Sequence, residues 1–305
     1  MRANLARDAD EEMILRHPLP TFFTLACAIS WLIWAPLWLP RFGVHGLPVV
    51  PFHHALGAFG PIAAAFIVSR VEAGRAGPAD LLRRMGLWHN RTTWLAVALC
   101  GPFAMLAVAI LAAWLLGAAS FSRLGFGVSS EFPQFAALGF LVYNVLTFRY
   151  GEETGWRGFA LPRLQARHGA FVSSLLLTAG WALWHVPLFL YRPGYVVMGV
   201  AGILGWLFSL LTGAVLLTWV YNESRGSILV VALFHATVDV AFTSNASSPF
   251  IVNAAGTILT VFGIVVVLVA GPRYLSRKGM VVRSNAAGRV IDFVDRDGVV
   301  HPEAA

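Results

Sequence analysis

The chain has 305 residues, of which 58% are hydrophobic and only 12% charged, with a mean hydropathy of +0.71. Soluble domains carry about 25% charged residues, so this composition excludes an ordinary soluble protein. The net charge of +7 needs no nucleic-acid partner if the cations follow membrane topology and anionic lipid headgroups, as they do below.

A polar segment, 1–20, with Asp8, Asp10, Glu11 and Glu12, precedes the first apolar run. That run is therefore too long and too far from the start for a signal peptide. Apolar runs of roughly 20 residues read as membrane-spanning helices. Eight are expected, at about 21–40, 52–70, 93–116, 134–157, 171–191, 197–220, 228–243 and 251–270. The predicted fold is all-α, a polytopic membrane domain over 21–270 whose catalytic core covers about 134–243, followed by a short cytoplasmic tail, 271–305. Within that tail, Val290–Val300 (VIDFVDRDGVV) reads as a small hairpin.

An even number of spans puts both termini on one face. With the N-terminus inside, eighteen Lys and Arg residues fall on the inner face, while Arg41, Arg123 and Arg192 fall outside and Arg149 lies within a span. Cationic loops stay cytoplasmic, so N-in, C-in in a cell inner (cytoplasmic) membrane is expected. Lys278 is the one lysine among 22 cationic residues, which points to a high-GC bacterial genome. Cys27 and Cys100 both lie in spans without a CxxC partner, as buried small apolar residues do. Gly199, Gly202 and Gly205 mark a candidate helix contact.

Charge inside a membrane costs about 2.5–3.5 kcal/mol per residue on insertion scales, so it marks function by default. Here it is confined to three spans: Arg149, Glu152, Glu153 and Arg157 in the fourth, His185 in the fifth, and His235 and Asp239 in the seventh. The link between spans four and five turns near Gly169, with Glu152 17 residues before it and His185 16 after. An antiparallel pair would bring the two level. Pro162 suggests a helix break beyond the cytoplasmic interface marked by Arg157, Arg163 and Arg167. Glu152 then lies about 8 Å, and His235 about 12 Å, beneath that surface.

Glu153 and Arg157 stand at i, i+4, in the favourable acid-before-base order for an ion pair. Glu152 points about 100° away around the helix; Arg149, at i−3, is its available partner. A carboxylate left partly unpaired at low dielectric suits a general base. His235 and Asp239 share a helical face, where Asp239 can accept from the imidazole and set its tautomer. Two histidines with a carboxylate can hold Zn²⁺, or Glu152 can activate water without a metal while His185 and His235 polarise the carbonyl. Both routes hydrolyse a peptide bond. No HExxH is present, and Gly127-Val-Ser-Ser130 is a weak serine-protease likeness.

Glu152-Glu153-xxx-Arg157, Trp181-xxx-His185 and His235-xxx-Asp239 resemble, in order and spacing, the motifs EExxxR, [F/W]xxxH and HxxxN/D of the CAAX protease and bacteriocin-processing (CPBP, or abortive-infection) family, related to the Ras-converting CAAX endopeptidase. The resemblance implies an intramembrane endopeptidase with a cavity open to the cytosol, acting on a peptide or membrane-protein substrate. It makes Glu152 the water-activating base, His185 and His235 oxyanion-polarising or metal-binding groups, and Glu153 and Arg157 supporting residues. Asp239 stands where eukaryotic relatives have Asn, so it orients His235, binds metal or stays protonated. Trp181 in place of the commoner Phe should matter little. Two other classes compete: a proton-coupled transporter using the same groups as a relay, and a non-catalytic peptide-binding immunity or scaffold protein. No inverted repeat supports the first.

Overall fold

The computed structural model describes residues 15–88, 91–118, 135, 137–243, 249–284 and 289–302; the Gly127–Ser130 stretch and Arg123 lie outside them. The chain is almost entirely helical. Helix α1 (Pro18–Ile33) bends into α2 (Ala35–Trp38), and α3 (His53–Gly57) leads into α4 (Phe59–Ala73). An amphipathic helix α5 (Ala76–Met85) precedes α6 (Thr92–Leu115). The fourth predicted span is one continuous helical run: α7 (Ala137–Asn144), a π-helical stretch Val145–Arg149, α8 (Tyr150–Glu153), a second π-helical stretch Thr154–Ala160 and α9 (Leu161–Gln165). Then follow α10 (Ala170–Trp184), the short α11 (Leu188–Tyr191) and α12 (Pro193–Val196), and the long helices α13 (Val200–Glu223), α14 (Ile228–Thr243) and α15 (Pro249–Ala270).

Every predicted apolar segment meets a helix. Among the described residues five helices are long and apolar enough to cross a membrane, and six if the bent pair Pro18–Ile33 and Ala35–Phe42 is one span. The run containing Glu152 falls outside that set because of its charges, and α14 because of its length. Pro162 does not break the helix. It sits in the first turn of α9, directly after the π-helical turns, where a missing N–H is tolerated.

The interior is built around the charged run. Every residue from Gly151 to Gln165 is buried. Gly151 and Gly155, one turn apart, let α4 approach this helix closely: a Cβ on Gly151 would run into the Ala58 carbonyl, and one on Gly155 into Pro61. Ser30 ties the other side together, donating to Gly57 O at 2.7 Å and accepting from Trp184 Nε1 at 2.6 Å. Cys27 is buried as expected, whereas Cys100 is exposed on α6. The glycine contact is not made: a Cβ on Gly199 or Gly205 would meet nothing within 4 Å.

The tail is part of the fold. Strands β1 (Gly279–Arg283), β2 (Ile291–Asp295) and β3 (Val300–Pro302) form an antiparallel sheet, and β2–β3 is the hairpin read from the sequence. His301 and two backbone N–H groups hold the Asp295 carboxyl below its ordinary range at this turn. Val281, Ile291 and Phe293 enter the main core. Gln165 and Asn222 clamp the sheet to the helices: Gln165 Nε2 donates to Val281 O at 2.6 Å and Asn222 Nδ2 to Tyr274 O at 2.9 Å. The sheet therefore packs at one end of the bundle, beside the start of α10, where Ala170 N donates to Arg273 O.

Candidate active site

The two π-helical stretches flank Glu152 and Glu153. Such bulges are rare, commonly sit at functional sites and re-aim the side chains around them. Arg149 closes the first bulge and Glu152 follows at i+3, with Arg149 Nη1 donating to Glu152 Oε1 at 2.9 Å. The other oxygen of Glu152 accepts from Trp181 Nε1 at 2.9 Å. The carboxylate is thus paired at both oxygens, contrary to the expectation of a partly unpaired group. The Trp181 indole is a working contact that a phenylalanine could not make.

Glu153 turns the other way and is fully buried. Its Oε1 accepts from Arg157 Nη1 at 3.0 Å, the expected i, i+4 pair, and lies 2.6 Å from His235 Nδ1. Arg157 also stacks over the Trp181 ring at 4.7 Å. Glu153 therefore does for His235 what the sequence suggested for Asp239. The structure instead pairs the Asp239 carboxylate with Arg149 Nη2. The reason is a matter of reach: Arg149 comes across from the neighbouring helix and draws Asp239 to itself.

Donor and acceptor chemistry assigns the tautomers. A carboxylate accepts and a guanidinium only donates, so neutral His235 carries its proton on Nδ1 and offers the Nε2 lone pair to Arg149 Nη1, 2.8 Å away. His185 Nδ1 lies 2.7 Å from the Trp181 carbonyl, which can only accept, so its lone pair also sits on Nε2. This bond forms where α10 ends, two residues ahead of Pro187.

Glu152, His185, His235, Asp239 and Arg149 line one cavity of about 340 Å³. Glu153 and Arg157 stand behind the wall. All the expected site residues are thus brought together. Arg149, which the sequence placed only as a partner for Glu152, is their common centre, touching Glu152, Asp239 and His235.

The cavity extends from the middle of the bundle toward the end opposite the tail: His235 is eight residues, about 12 Å, past Ser227 at the tail end of α14. His185 is 15 residues along α10 from the tail end, about 22 Å of helix. Arg192 and Tyr195, beyond the far end of that helix, line the same cavity.

The fit of a metal can be judged from the donor set. Among the described residues no group of three or more His, Cys, Asp or Glu side chains has ligand geometry. A dication bridging Glu152 and His235 Nε2 would need the place where the Arg149 guanidinium donates to both. This arrangement fits a guanidinium and does not fit Zn²⁺.

Fold and site together define a multi-pass helical membrane protein with a polar cavity walled into its helices. Residues 133–241, which hold all three motifs, match the family described as type II CAAX prenyl endopeptidase Rce1-like. The chain is also similar to CAAX prenyl protease 2 of Methanococcus maripaludis, 32% identical over 119 residues, which are 38% of this chain and 42% of that protein. The match thus spans less than half the length of that relative. Over that segment the chain is therefore similar to CAAX prenyl endopeptidases, the group its three motifs resemble.

Proposed function

We propose that the protein is an intramembrane endopeptidase that hydrolyses a peptide bond in a membrane-associated polypeptide, with Glu152 as the base. The observation that carries this reading is that Glu152 reaches the cavity wall beside His185 while its neighbour Glu153 is sealed behind it. A water held between Glu152 and the His185 Nε2 lone pair attacks the scissile carbonyl carbon, and its proton passes to the Glu152 carboxylate. The carbonyl oxygen becomes an oxyanion, for which the Arg149 guanidinium is the adjacent cationic donor. When the C–N bond breaks, Glu152 returns the proton to the leaving amine. Trp181 and Arg149 hold Glu152 in position, Glu153 and Arg157 hold His235, and Asp239 holds Arg149. Asp239 thus acts through Arg149 at a position where Asn would act by itself.

The same reading covers location. The excess of cations keeps both termini and the tail sheet on the cytoplasmic face of the inner membrane. With the tail cytoplasmic, His235 lies about 12 Å from that face, counted along α14 from Ser227, while Tyr195, past the far end of α10, lies on the other side. Impermeant thiol labelling of single cysteines at Tyr195 and Arg289, in intact cells, tests the orientation: Tyr195→Cys should label from outside and Arg289→Cys should not.

The activity is tested by comparing peptide termini in membranes of cells carrying wild type or Glu152→Gln. Termini that vanish in the variant identify substrates. An unchanged set of termini would count against the protease reading.

A further inference from the structure

A second cavity, of about 490 Å³, lies at the tail end of the bundle between α6, α13 and α15. Its floor is aromatic. Trp94 meets Trp219 edge to face at 5.0 Å, and Trp219 meets Phe262 in the same way at 5.3 Å. Its rim is cationic. Arg277 is exposed on that rim, and among the described residues nothing accepts from its guanidinium; only its backbone N–H is bonded, to Glu223 Oε1 at 2.7 Å. Lys278 Nζ stands 5.9 Å from the Trp94 ring and is half exposed.

Glu223 also lines the cavity but is already engaged: it accepts from Ser276 Oγ at 3.1 Å and has Lys278 Nζ at 3.6 Å. From the aromatic floor, Val265 and Val269 of α15 continue as an exposed apolar stripe that runs from the helix end into its middle.

The three features answer to different parts of one molecule. An unpaired guanidinium beside an ammonium answers to an anion. Tryptophans at helix ends answer to the headgroup boundary. An exposed valine stripe below them answers to an acyl chain. A free inorganic anion would use only the first. We infer that this cavity binds one anionic phospholipid, its phosphate against Arg277 and Lys278, its glycerol region over Trp219 and an acyl chain along Val265 and Val269.

The test uses the purified full-length protein, delipidated in a neutral detergent. Melting is followed with phosphatidylglycerol, with phosphatidylcholine of the same acyl chains, and with inorganic phosphate; native mass spectrometry counts bound lipid. Phosphatidylglycerol should raise the melting temperature at about tenfold lower concentration than phosphatidylcholine and leave one retained lipid, while phosphate does nothing. Arg277→Gln should abolish that preference without changing the lipid-free melting temperature, because its guanidinium holds no part of the protein. If that variant melts low by itself, Lys278→Gln is read instead, and Arg167→Gln, an exposed cation elsewhere, should keep the preference. Equal effects of the two lipids, a preference that survives both rim substitutions, or a shift produced by phosphate alone would each overturn the assignment.

Discussion

The helical run from Ala137 to Gln165 and the helix α6 are both membrane segments by position, and they are built in opposite ways. Helix α6 carries no charge between Thr92 and Leu115, yet Val108, Leu111, Trp114 and Leu115 are about half exposed or more. The charged run holds Arg149, Glu152, Glu153 and Arg157, and from Gly151 onward it is buried without interruption. Hydropathy thus reports which helices face lipid, not which form the centre. In this bundle the most polar span is the core, because a charge in a membrane is tolerated only where partners surround it.

That contrast can be broken at its strongest point first. Arg157→Ala leaves the fully buried Glu153 carboxylate without its ion-pair partner, and losing one member of a buried pair costs about 3–5 kcal/mol. The variant should melt far lower or fail to accumulate, as read by thermal unfolding in detergent. Arg149→Gln should retain the fold better and lose cleavage by about 10²–10³-fold, the scale set by removing one oxyanion donor; a rate within a few fold of wild type would remove Arg149 from the chemistry. Trp181→Phe keeps the packing and deletes one hydrogen bond to Glu152. About 1.5–3 kcal/mol is typical for a bond to a charged group, so a loss of about tenfold or more in kcat is expected with little change in melting. On α6, Leu111→Ala should shift stability by less than about 0.5 kcal/mol, because the side chain faces lipid and leaves no cavity.

Much of this was legible in the sequence where the relation is local. The eight apolar segments, the Glu153–Arg157 pair and the Arg149–Glu152 pair all follow from hydropathy and from i, i+3 and i, i+4 spacing. The tail hairpin follows from its alternating pattern. What was not legible depends on how helices turn toward one another. The π-helical turns add a residue per turn and rotate every later side chain, so a 100° wheel misplaces what faces Glu152 and Glu153. The exchange of partners, with Glu153 on His235 and Asp239 on Arg149, joins two helices and has no signature in either alone. The value of an indole at Trp181 appears only once its N–H is seen to meet Glu152.

The central claim is that the adjacent glutamates divide their work, Glu152 reacting at the cavity and Glu153 positioning His235 from behind it. Glu152→Gln and Glu153→Gln, purified side by side and assayed for cleavage and melting temperature, test it most directly. The account predicts that Glu152→Gln loses cleavage by about 10²–10⁴-fold, the range of general acid–base catalysis, with a near-native melting temperature, while Glu153→Gln loses both activity and stability. Wild-type cleavage by Glu152→Gln, or equal losses of stability at both positions, would contradict it.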